Sequence, residues 1–201
     1  MKNDEALESI KEIREMMNRS SKCLSLSGIS GVFIGCYALL GAYSIHYILL
    51  EMTALHTTER KIYVAAIAIV ILLISVLTAV ILSKRKARKK GDSIFSATAI
   101  KIHKTLFTGL LPGGILSIAM GISDHSQYIT TVMLLFYGLA MVNASHYTYR
   151  DIRFLGYSFL ATGFVNCFLT EYSLEIWCLG FGLLHIIYGI VMYFKYEKAV
   201  E

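Results

Sequence analysis

The sequence predicts an all-α, polytopic integral membrane protein with six transmembrane helices, and three observations predict it. Only 16% of the 201 residues are charged and 56% are hydrophobic, whereas a soluble domain carries roughly 25% charged residues. The apolar residues gather into runs of about 20, the length that crosses the hydrocarbon layer as a helix. Finally, of the 19 Lys and Arg, only Arg60 and Lys61 fall on one side of these runs. By the positive-inside rule the other side is cytoplasmic, and both termini lie there. The compartment expected is a bacterial-type inner membrane.

Residues 1–23 form a cytoplasmic segment with no cleavable signal, since acids and bases alternate and no short apolar region with a small-residue cleavage site follows. Within it, DEALESIKEIREMM (4–17) predicts an amphipathic helix. Asn3 caps it, acids fill its first turn, and Leu7, Ile10, Ile13 and Met17 share one face. Residues 24–201 form the membrane domain, with spans at about 24–50, 62–82, 105–122, 128–147, 153–170 and 174–194. Tyr128, Tyr172 and Trp177 on the outer side, with Tyr147, Tyr149, Tyr193 and Tyr196 on the inner, read as aromatic belts.

The first span carries Ser27, Gly31 and Gly35 at every fourth position, and the third carries Gly109, Gly113, Ser117 and Gly121. In lipid no hydrophobic force drives helices together, so small residues that let backbones approach supply the packing. These ladders suit contacts within the bundle or between copies in a homo-oligomer. The only proline, Pro112, sits in LLPGG in the third span. It denies a hydrogen bond to the Thr108 carbonyl, which allows either a kink satisfied by neighbours or a broken helix exposing backbone to a solute. Residues 93–104 extend this helix along the interface.

Between the second and third spans, KRKARKK (84–90) presents Lys84, Arg85, Lys86, Arg88, Lys89 and Lys90. Such a run anchors topology and holds anionic lipid headgroups, at about 1 kcal/mol per base near the surface. Nucleic acid is not an expected partner, because no recognition fold or interleaved aromatics accompany the run. Cys23, Cys36, Cys167 and Cys178 lack CxxC spacing and read as small core residues, with a Cys167–Cys178 bond as the alternative.

An internal repeat pairs FYGLAM (136–141) with IYGIVM (187–192), and the loops SDHS (123–126) with TEYS (170–173), making two helical hairpins. A rival pairing sets GGILSIAMGI (113–122) against FGLLHIIYGI (181–190) as an inverted repeat.

Polar groups inside a span are costly, which makes them site candidates. His185 lies at mid-depth in the sixth span with Tyr188 three residues on; Asn143 is expected to be buried and bonded near the inner end of the fourth, and His146 to sit at the interface. No paired intramembrane carboxylates, HExxH or phosphate loop are present. GISG (28–31) resembles the GxSG motif of rhomboid proteases, and His185 lies in the last of six helices, where that family keeps its base. The likeness covers four residues. Ser30 opens the first span, whereas the rhomboid serine is in the fourth helix, and the expected flanking glycines of His185 are missing. No enzyme is expected.

Three functions follow in order: a non-enzymatic structural or regulatory bundle; a small-solute or ion channel or carrier using Pro112, Asn143, His185 and Tyr188; and a haem protein ligated through His103 and His146, both near the inner surface. Against haem, b-type six-helix cytochromes carry histidines on four central helices, and the second span here has none. No metal site is expected.

Overall fold

The computed structural model describes residue 10 and residues 27–52, 56–89, 97–123 and 125–198. The helix expected over 4–17, apart from residue 10, lies outside the described residues, as do Cys23, Lys90 and the start of the 93–104 extension.

The fold is all-α, with six long helices. They are α1 (Gly28–Leu50), α2 (Thr57–Lys89), α3 (Ala97–Ile122), α4 (Ile129–Ala144), α5 (Asp151–Phe168) and a composite α6. The last is α-helical over Ser173–Trp177, π-helical over Cys178–Leu184 and α-helical again over His185–Tyr196. Five of the six are long and apolar enough to cross a membrane, which suggests a multi-pass membrane protein. The exception is α5. Its 18 residues include Asp151 and Arg153 in the first turn and Asn166 near the end, and these dilute its apolar character.

Three helices, α4, α5 and α6, enclose the core. One cluster joins Leu134, Leu155 and Phe159 with Tyr137, Phe181, Leu184 and Tyr188 packed against it. A second joins Tyr149, Ile152 and Met192, again with Tyr188 alongside. Outside this core α1 packs on α6, α2 on α1, and α3 on α4. The flanking position of α2 is complete: no residue of its most apolar stretch is buried.

Glycines set the closest crossings. A Cβ on Gly28 would meet the Gly189 carbonyl at 2.6 Å, and a Cβ on Gly189 would meet the Gly28 carbonyl at the same distance. Gly31 and Gly35 continue this contact along α6. Where α4 crosses α5, Gly138 and Gly156 face each other's carbonyl at 2.9 Å. The second ladder packs on α4, Gly109 against Ala140 and Gly113 against Phe136. Both ladders therefore serve contacts inside this chain.

Pro112 does not break α3, which runs unbroken from Ala97 to Ile122 with the proline exposed. The chain outside the i→i−4 pattern is found instead in the π-helical turn of α6. The cysteines also depart from expectation: Cys36 and Cys167 are exposed, Cys178 is half-buried, and all three are free thiols. Lipid is as apolar as a core, so a thiol gains nothing by turning inward.

Candidate functional site

The chemistry of the interior centres on His185, which is 4% exposed. It is the first residue after the π-helical turn, a distortion found frequently at functional positions. Its Nε2 lies 2.7 Å from the Tyr137 hydroxyl of α4. Three aromatic rings close around it: Tyr137 at 5.4 Å, Phe159 of α5 at 5.3 Å, and Phe181 stacked at 6.0 Å and 13°. These rings also contact one another, with Tyr137 at 4.7 Å from Phe159 and 5.0 Å from Phe181. The other ring nitrogen, Nδ1, is buried and has no hydrogen-bond partner among the described residues.

This arrangement is an interhelical hydrogen bond inside an aromatic box. Tyr137→Phe is expected to cost about 1 kcal/mol, within the range of such bonds in membranes. Combining it with His185→Phe should cost less than the sum of the two single changes, because neither polar group is then left unpaired. Unfolding in mixed micelles measures the four-corner cycle; strictly additive effects would show that the bond carries no energy.

A second polar pair ties α4 to α5. Asn166 of α5 is 0% exposed and donates from Nδ2 to Thr131 Oγ1 of α4 at 2.8 Å, while its Oδ1 has no partner among the described residues.

The residues proposed from the sequence do not come together as one site. Tyr188 lies beside both core clusters, one turn from His185. Asn143 is exposed rather than buried, since the buried face of α4 near this end is taken by Ala140 and Ala144. Pro112 faces outward on α3. His103 is exposed and bonded at Nδ1 to the Ala99 carbonyl of its own helix, and His146 is exposed in the loop after α4. Among the described residues no group of three or more His, Cys, Asp or Glu could hold a metal ion. Ser30 donates to the Ser27 carbonyl at 2.5 Å, while His185 is engaged by Tyr137, so the GISG serine and this histidine are not paired.

At one end of the molecule the basic groups and helix ends meet. Glu197, just past α6, accepts from the Gly28 backbone N–H at 2.6 Å and from Lys86 at 3.0 Å. The carboxylate thus caps the N-terminus of α1, where the helix dipole favours negative charge. Lys86, whose side chain is only 10% exposed, also lies 5.9 Å over the Tyr149 ring. Its ammonium is committed to the protein rather than displayed with Lys84, Arg85 and Arg88, which are exposed; the Lys89 side chain is outside the described set. Nearby, Lys195 reaches both Asp151 oxygens at 2.8 and 3.0 Å, and Tyr196 donates to Asp151 at 2.6 Å. Partial burial pushes the Asp151 carboxyl up, but these hydrogen bonds outweigh it and hold it below the usual carboxylate range.

Sequence reasoning missed Tyr137 as the partner of His185. The repeat pairing sets Tyr137 in register with Tyr188, a hint that both matter, but nothing in the sequence aims Tyr137 at a histidine 48 residues away. It also missed Glu197 as a shared anchor.

The fold and these sites define a class, an all-α bundle with a polar-pinned aromatic core, whose five long apolar helices suggest a multi-pass membrane protein. No protein-family model matches the chain, and no curated protein or solved structure gives a significant match, so its function is argued from its own residues.

Proposed function

We propose that this protein is a non-enzymatic structural or regulatory helical bundle of the inner membrane, crossing it six times with both termini cytoplasmic. The observation that carries the reading is the His185 environment. Rings at 4.7 to 6.0 Å occupy the space a solute would need, and the imidazole is spent on a helix-to-helix bond. The basic end, where Glu197 gathers α1, α2 and α6, supports the orientation, because Lys84, Arg85, Arg88 and Lys195 cluster there and Arg60 and Lys61 do not. The hairpin repeat is supported by the matching work of Gly138 and Gly189, each of which sits at a close helix crossing. With both glycine ladders occupied inside the chain, exposed apolar residues such as Leu72 and Leu77 of α2 and Ile115 and Ile118 of α3 offer surface for lipid or for another membrane chain.

Water access tests the reading. In a background with the four native cysteines replaced by alanine, a cysteine at Tyr188 should resist a membrane-impermeant thiol reagent in sealed and in opened vesicles. Labelling as fast as a cysteine placed at exposed Ser126 would reject the dry bundle in favour of a carrier.

A further inference from the structure

We infer that the cavity at the junction of α4 and α5 is a binding site for a phosphate group. The half-open cavity, of about 220 Å³, is lined by Ser145, His146, Thr148, Arg150 and Arg153. Among the described residues its lining holds two guanidinium groups and an imidazole but no carboxylate. Asp151, which lies between the two arginines in sequence, is engaged by Lys195 and Tyr196.

The cationic groups are also available. Arg153 is fixed by donation from Nε to Ser145 Oγ at 3.2 Å, and its terminal nitrogens have no partner among the described residues. The side chains of Arg150 and His146 make no hydrogen bond or ion pair there either. A planar guanidinium held at Nε presents its remaining donors as a fork, the geometry that phosphate oxygens accept. Ser145 and Thr148, both buried, line the wall, and the Ser145 hydroxyl, which donates to the Val142 carbonyl at 2.6 Å, holds the Arg153 guanidinium in place.

The same chemistry recognises two sources: the phosphate of an anionic lipid, or a soluble phosphate. The lining does not include the exposed Lys84, Arg85 and Arg88 of α2. The site stands independently of whether the bundle acts as a scaffold or a carrier.

Native mass spectrometry of the protein with phosphatidylglycerol in excess phosphatidylcholine reads the lipid arm. Wild-type protein should retain phosphatidylglycerol, and the double variant Arg150→Gln/Arg153→Gln should bind it at least tenfold more weakly. The matched variant Lys101→Gln/Lys104→Gln, which removes the same charge from the exposed surface of α3, should bind as wild type. Titration calorimetry with inorganic phosphate in an uncharged detergent reads the soluble arm, where binding by wild type and not by the cavity variant assigns a soluble ligand. Should the double variant fail to fold, Arg150→Gln alone, at an exposed side chain, should still weaken binding severalfold. Equal losses in the cavity and α3 variants, or no binding of either probe, would overturn the proposal.

Discussion

Phe159→Ala is expected to lower stability by about 3 kcal/mol, the largest loss from any single truncation in the core. Phe159 is fully buried and touches Tyr137, Phe181 and His185, so its removal opens one side of the aromatic box. The figure is set at the lower end of the range for soluble cores. In lipid the separated helices still lie in apolar surroundings, so the loss is packing rather than transfer from water. The cavity also leaves one side of the His185 ring without its packing partner. Unfolding in mixed micelles measures the loss, and the thiol reagent at position 188 gives a second readout, since the opened box should admit water. A change below about 1 kcal/mol would show that the box is not the keystone of the α4–α5–α6 core.

Gly189→Ala is expected to cost at least about 2 kcal/mol, because the neighbours it would strike are backbone and cannot rotate away. Its Cβ would stand 2.6 Å from both the Gly28 carbonyl and the Val32 nitrogen of α1. The helices must separate, which also strains the Glu197 contacts with Gly28 and Lys86. Gly114→Ala is the control. Nothing lies within 4 Å of its Cβ, so alanine should be neutral or stabilise by about 0.5 kcal/mol through its better helix propensity. Equal effects at the two positions would mean that α1 does not pack as closely as the Gly28–Gly189 crossing requires.

The small-residue ladders show where sequence and structure agree. Their spacing marks helix faces built for close approach, and Gly31, Gly35, Gly109 and Gly113 all sit on such faces. What spacing cannot say is which helix fills each face: α6 for the first ladder and α4 for the second. Asn143 shows the opposite outcome. Its single polar side chain in an apolar run reads as buried, yet it lies one helical turn from the loop and turns outward. In α2 the same difficulty becomes general, because large apolar residues such as Leu72, Leu73 and Leu77 stay exposed on a helix whose composition alone would suit a core.

Class and helix number were determined by the sequence itself. A chain in lipid must satisfy its backbone hydrogen bonds within each segment, so the length and apolar content of each run suffice to mark a helix. The excess of bases at particular run ends is likewise a local property. Only the tertiary structure decided that His185 meets Tyr137, that Asn166 meets Thr131, that Glu197 joins three helix ends, and that Ser145, Arg150 and Arg153 share a cavity. The reason is that an apolar solvent erases the inside–outside contrast that amphipathic periodicity records in water. The buried face of each helix is then chosen by shape and by a few polar pairs, and both depend on residues far apart in the chain.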